Sequence, residues 1–430
     1  MKKVSNRAIA ALILAGILLL GTVALVISYF IHGDEWVVFP GSAHVYSGGN
    51  LNSGIIKDRS GVVLLDSTDG RRYADDPNVR NATLHLLGDR EGYIAAPLLS
   101  EYAEALVGYD FLTGTYSLSG KVSTGKLTIC AQVQTAALEA LAGRAGPVGV
   151  YNYETGELLC AVSSPTYDPD QVPDIAGDTT GVYNGVYVNR FFNATFVPGS
   201  IFKLVTAAAA LENIPDIEQQ TFQCNGSFDV EGDTINCNGV HGTIDFETAL
   251  AKSCNVAFGQ IALQLGPDIL EQYAHALGIT ESFSVDGFQT AAGNFDLTDA
   301  PNVDVAWSGI GQYTDLINPY GYMRLMGAVA GGGKAGEPYL MEEVESKKLT
   351  SSYHASKKTT PQLLEPETCE KLAVMMLNNV VSVYGTGNFP DLYVCAKSGT
   401  AEVGGDLTPH ATFAGFVQET KEPLAFIVVV

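Results

Sequence analysis

Residues Ala8 to Ile31 run for 24 positions without a charged side chain. At about 1.5 Å of rise per residue, such a run spans the hydrocarbon core of a bilayer as one helix. Lys2, Lys3 and Arg7 precede it, and Asp34 and Glu35 follow it. The basic flank predicts a cytoplasmic tail (residues 1–7), a transmembrane anchor (8–31) and the rest of the chain on the outer side. A cleavable signal would carry a shorter apolar region and a small-x-small site, so an uncleaved anchor is expected.

The body beyond the anchor has to fold in water. With 46% hydrophobic and 17% charged residues the chain is globular rather than disordered. Its formal net charge of −23 argues against a nucleic-acid partner, which needs a basic footprint. An anionic ligand stays compatible, since it needs only local positive charge in a pocket. Seven cysteines and seven histidines show neither Cys-x-x-Cys nor His-Glu-x-x-His spacing, so no metal site is expected. Cys224 and Cys237 flank a polar, hairpin-like loop and are the best disulfide candidate in an oxidising compartment, two free thiols being the other reading. Cys130, Cys160 and Cys395 lie in apolar, strand-like runs and read as small core residues.

Taken in order, residues 32–125 are mixed and turn-rich and read as a small β-rich pedestal or spacer. The stretch from Ser53 to Ser67 predicts strand, turn, strand, with Asp58 to Gly61 at the turn. From Lys126 the texture changes. A helix is expected over Ala131 to Gly143, then two strands joined by a tight turn at Glu154-Thr155-Gly156-Glu157. Further helices are expected over 205–212, 317–330 and 366–381, and three short strands close the chain.

Three short patterns carry chemistry. Pro198-Gly199 shapes a turn before a helix, so Ser200 falls at a positive helix end with Lys203 one turn on. A hydroxyl with an amine in reach is a nucleophile with its base; a solvated lysine after a helix-start serine is the ordinary alternative. Ser253-Cys254-Asn255 lies between helical segments, where local capping is the ordinary reading. Lys397-Ser398-Gly399-Thr400 lies on a strand, where a polar strand end is. Ser-x-Asn and Lys-Ser/Thr-Gly each occur once, in this order after Ser200. A second Ser-x-x-Lys, Ser123 to Lys126, runs into a strand-like stretch, which does not hold its lysine one turn above its serine.

Together these patterns resemble the penicillin-recognising serine transpeptidases, specifically class B penicillin-binding proteins. The likeness extends to the strand pair near Ile55, the hairpin of residues 153–170, Asn189-Arg190, Gly309 to Gln312 and Gly385-Thr386-Gly387. The resemblance implies an α/β (α+β) fold with a mainly antiparallel five-stranded sheet flanked by helices over residues 126–430. Ser200 would attack the penultimate D-alanine carbonyl of a stem peptide. Lys203 would be its base and Ser253 a proton relay. Asn255 would bind the substrate amide, and Lys397, Ser398, Gly399 and Thr400 its extended backbone and terminal carboxylate. Backbone N–H groups of Ser200 and Thr400 would form the oxyanion hole. Gly399 has a physical reason of its own, because a side chain there blocks close backbone approach.

Implied partners are peptidoglycan stem peptides, β-lactams and a membrane glycosyltransferase of the elongation or division machinery, with no cofactor. The roughly 95 residues between anchor and Lys126 are too few for a glycosyltransferase domain within this chain. No residue suggests itself for activating water in fast deacylation, which favours a transpeptidase over a β-lactamase. The other readings are a D,D-carboxypeptidase, a β-lactam sensor and an inactive divisome scaffold. The family continues past its last strand into a C-terminal helix, whereas this chain stops at Val430 in an apolar strand, so that helix is expected to be missing and the sheet partly uncovered.

Overall fold

The computed structural model describes residues 2–39, 45–107, 109–110, 115–116, 122–345, 353–402, 409–418 and 421–430. Helix α1 (Lys2–Val37) holds the apolar run, and its side chains from Leu12 to Leu20 stand exposed. Within it, Lys3–Gly33 contains an 18-residue window with a mean hydropathy of 2.8 and is long and apolar enough to cross a membrane.

Strands β1 (Ile55–Lys57), β2 (Val63–Asp66) and β3 (Arg72–Tyr73) follow, then helix α2 (Pro77–Leu87) and strand β4 (Thr124–Leu127). The Asp58 carboxylate organises the expected turn between β1 and β2. It accepts from the N–H of Ser60, Val62 and Ala131, the last being the first residue of helix α3 (Ala131–Leu141). Strand β4 pairs with β1 in parallel and passes through residue 125, where the sequence texture changes. Ser123 is buried ahead of it, and Lys126 Nζ lies 2.9 Å from a Glu342 carboxylate oxygen, so this Ser-x-x-Lys forms no catalytic pair.

The hairpin of β5 (Gly146–Asn152) and β6 (Leu158–Ser164) forms as the tight turn predicts. A 3-10 turn, Gly199–Ile201, leads into helix α4 (Lys203–Asn213). Residues 203–210 of α4 are all buried, and the small side chains of Ala207 to Ala210 let neighbouring helices approach closely. Strands β7 (Thr221–Cys224), β8 (Ser227–Val230), β9 (Asp233–Asn236) and β10 (Gly242–Asp245) make two hairpin-like pairs, β8 with β9 and β7 with β10. Helices α5 (Phe246–Ala251) and α6 (Asn255–Leu265) follow, then α7 (Pro319–Ala330).

Strands β11 (Met341–Glu345) and β12 (Tyr353–His354) return to the N-terminal segment, completing a six-stranded sheet in the order β12-β11-β4-β1-β2-β3. Helix α8 (Pro366–Asn379) precedes the closing strands β13 (Tyr393–Ala401), β14 (His410–Gln418) and β15 (Leu424–Val429). These join the first hairpin as an antiparallel sheet in the order β6-β5-β15-β14-β13. Alternation on β15 sorts its faces. Ala425, Ile427 and Val429 enter the main core with α7, while Val428 packs with Ala137, Leu138 and Leu141 of α3. Phe413 and Phe426 stack at 5.6 Å on that second side and are half-buried.

Candidate active site

Ser200 sits in the 3-10 turn rather than in the first turn of the α-helix. Side chains three apart eclipse in 3-10 geometry, so Lys203, the first residue of α4, comes back over Ser200. Its Nζ lies 3.0 Å from Ser200 Oγ. Gly199 takes a φ of +57°, its N–H donates to Gly311 O at 2.9 Å, and a Cβ there would lie 2.5 Å from Thr400 O. The turn is thus pinned between the Gly309–Gln312 segment and strand β13.

The Ser253–Asn255 segment joins α5 to α6. Ser253 has a φ of +52°, the left-handed region that costs a non-glycine residue about 1 kcal/mol. The bend turns both Ser253 and Asn255 toward the lysine. Lys203 Nζ lies 2.7 Å from Ser253 O, 3.1 Å from Ser253 Oγ and 2.8 Å from Asn255 Oδ1. Asn255 is oriented in turn by donating its Nδ2 to Asn236 O at 2.9 Å.

Strand β13 supplies the rest. Lys397 Nζ lies 3.1 Å from Ser253 Oγ and donates to Ser398 O at 2.7 Å. Ser253 Oγ therefore bridges two amines. Gly399 is buried, and a Cβ on it would come within 2.2 Å of Thr412 Oγ1, 2.8 Å of Pro198 O and 3.1 Å of Ile201 N. The close approach expected at Gly399 is thus to the nucleophile's own turn. Thr400, next on the strand, is exposed, and Ser398 is half-buried.

Burial governs the electrostatics. Lys203 and Lys397 are fully buried. Desolvation pulls the Lys203 amine down to about 7. Lys397 is pushed well below the ordinary lysine value by desolvation and then by the neighbouring Lys203. An amine near neutrality beside a serine hydroxyl can take its proton.

Sequence reasoning left Tyr384 out. Its hydroxyl accepts from the Ser398 N–H at 2.9 Å and lies 3.0 Å from Ser398 Oγ, bracing the strand end. The nearby Gly385-Thr386-Gly387 was its only signal.

Of the two readings open for Cys224 and Cys237, a disulfide or two free thiols, the structure has free thiols. They converge instead with His241 and Cys254, all four ligand atoms lying within 4.8 Å of one another. The expectation of no metal site rested on linear spacing, whereas this group comes together from separate elements. Its sequence signal was the spacing Cys-x12-Cys-x3-His-x12-Cys.

Comparison with known proteins gives the family and the fold. The family profile of the penicillin binding protein transpeptidase domain matches residues 146–430. The chain is 29% identical over 346 residues to the peptidoglycan D,D-transpeptidase PbpA of Mycolicibacterium smegmatis, covering 74% of this chain and 69% of that protein. The imipenem acyl-enzyme of penicillin-binding protein A from M. tuberculosis superposes with a TM-score of 0.75 at 25% identity, over 88% of this chain and 93% of that one. The D,D-transpeptidase domain of a peptidoglycan glycosyltransferase from Eggerthella lenta shares the fold, with a TM-score of 0.74 at 24% identity and 88% and 93% coverage. With its mixed α/β architecture and N-terminal apolar helix, the chain belongs to the penicillin-binding protein transpeptidase family, among the class B members.

Proposed function

We propose that this protein is a membrane-anchored peptidoglycan D,D-transpeptidase acting through an acyl-enzyme on Ser200. The observation that carries the reading is the placing of Lys203 Nζ, buried and within 3.1 Å of Ser200 Oγ, Ser253 Oγ and Asn255 Oδ1. Neutral Lys203 accepts the Ser200 proton as Oγ adds to the penultimate D-alanine carbonyl of a stem peptide. The N–H groups of Ser200 and Thr400 hold the oxyanion. Ser253 Oγ, between Lys203 and Lys397, passes a proton to the departing D-alanine amine. Asn255 holds the substrate amide, and Lys397, Ser398, Gly399 and Thr400 align its extended backbone and terminal carboxylate. An amine from a neighbouring stem then takes the acyl group.

β-Lactams, as donor mimics, stop at the acyl-enzyme. The basic flank of α1 supports a cytoplasmic N-terminus with the catalytic body outside. Residues 32–125 act as pedestal and 126–430 as the transpeptidase unit, alongside a membrane glycosyltransferase that makes the glycan strand.

The test uses the full-length chain in detergent with a fluorescent penicillin. Wild type forms a stable covalent adduct, and Ser200→Ala forms none. Labelling that persists in Ser200→Ala would sink the assignment.

A further inference from the structure

Beside the catalytic residues lies a second constellation that the transpeptidase chemistry does not use. Cys224 ends β7, Cys237 follows β9, His241 precedes β10, and Cys254 caps α6 between Ser253 and Asn255. Cys224 and Cys254 are buried; Cys237 and His241 are half-buried. Their three sulfurs and one imidazole nitrogen converge within 4.8 Å.

We propose that Cys224, Cys237, His241 and Cys254 bind one Zn2+ ion, in a tetrahedral site of three sulfurs and one nitrogen that clamps the Ser253–Asn255 segment beside Lys203. The spacing of the ligand atoms supports this. Zinc–sulfur bonds of about 2.3 Å and zinc–nitrogen bonds of about 2.0–2.1 Å, set at tetrahedral angles, place sulfurs about 3.8 Å apart and sulfur about 3.6 Å from nitrogen. Cys237 Sγ lies 3.8 Å from Cys254 Sγ and 3.6 Å from His241 Nδ1. A disulfide needs about 2.05 Å between sulfurs and would leave a third thiol and the imidazole behind.

Backbone amides surround the sulfurs as they do thiolate ligands. The Asn255 N–H donates to Cys237 Sγ at 3.3 Å, and the Ala257 N–H to Cys254 Sγ at 3.4 Å. Three soft thiolates with one imidazole suit zinc, and four protein ligands leave no open position, which marks a structural ion rather than a catalytic one. Zinc entry displaces the three thiol protons and forms three Zn–S bonds and one Zn–N bond without any change of oxidation state.

The consequence for the neighbouring site is mechanical. Ser253 holds a left-handed backbone conformation, and Asn255 is steered by Asn236, the residue before Cys237. One ion tying Cys254 to Cys237 fixes both sides of that arrangement. His241 is the ligand to test, because it lies outside the catalytic set.

Metal content, measured on the full-length chain purified in detergent without chelator, reads the proposal independently of transpeptidase activity. The expected result is one Zn2+ per chain, exchangeable for Co2+ with the visible bands of a tetrahedral thiolate site. His241→Ala weakens zinc retention against a chelator by roughly 10-fold or more, and His241→Cys, which restores four soft ligands, recovers it. Folding of each variant is checked by circular dichroism and a thermal melt. Reduced protein that gives no tetrahedral Co2+ bands overturns the proposal. So does zinc retention equal in wild type and His241→Ala, or a disulfide among these cysteines in protein made with zinc supplied.

Discussion

Lys203 Nζ contacts side chains from two separate segments, and each contact places it for one proton. Ser200 Oγ is the donor it must deprotonate, and Ser253 Oγ is the group it can pass the proton toward. Burial raises the cost of the ammonium more than that of the amine, so the folded value falls to about 7 from the ordinary lysine value of 10.5. Only the deprotonated form is a base, so the acylation rate should climb with rising pH through about 7 and level off above it. Lys203→Ala should lower that rate by about 10²–10⁴-fold, the span typical of a lost general base. Stopped-flow acylation by a chromogenic β-lactam across pH measures both. A wild-type rate that is flat from acid to alkaline pH would remove Lys203 from the role.

Between elements, the decisive contact is strand β13 against the Ser200 turn. Gly399 permits it, since a Cβ there would press on Pro198 O, Ile201 N and Thr412 Oγ1 together. Two of these three atoms are backbone and cannot swing aside. Gly399→Ala should therefore push the strand away from the nucleophile. Overpacking of this kind costs about 1–3 kcal/mol of stability, while misplacing the oxyanion donor and substrate strand costs roughly 100-fold in rate. A thermal melt lowered by a few degrees alongside a much larger loss of acylation rate is the expected pattern; a fall in stability with acylation unchanged would contradict it. This strand was legible beforehand from the apolar run Tyr393 to Ala396 ending in the polar Lys-Ser-Gly-Thr motif, and Gly399 signalled the close approach, although the register was not legible. The Ser200 turn was legible from Pro198-Gly199, although its 3-10 form was not. Tyr384 and the Cys–His cluster were hidden because their partners meet only through the fold: Tyr384 lies 14 residues before Ser398, and the four ligands come from separate strands and turns within residues 224–254. The same reason hid the six-stranded sheet, whose β11 and β12 lie more than 200 residues after β4.

At the scale of the whole molecule, the N-terminal segment is fastened to the loop that delivers the nucleophile. Arg80 on α2 grips the Asp168 carboxylate with two bonds, at 2.6 and 2.7 Å. His85, on the same helix, lies 2.7 Å from Val186 O and accepts from Asn189 Nδ2 at its carbonyl. A carbonyl can only accept, so His85 carries its proton on Nε2. One continuous apolar core joins both regions, from Leu51 and Leu87 to Phe202 and Ile427. Stability of the fold is thereby linked to this junction and to pH. Burial lowers the His85 imidazole to about 4, from the ordinary 6.5. Between those two values the unfolded chain binds a proton that the folded chain refuses, so stability falls as pH drops from 6.5 to 4 and loses nothing more from this group below that. At 1.36 kcal/mol per unit the loss reaches at most about 3 kcal/mol. Thermal melts of wild type and His85→Gln at neutral pH and near pH 4.5 isolate the effect. The glutamine amide keeps a donor for Val186 O but binds no proton, so its melting temperature should fall less on acidification than that of wild type. Equal falls in the two proteins would mean that the junction does not set the acid limit of the fold.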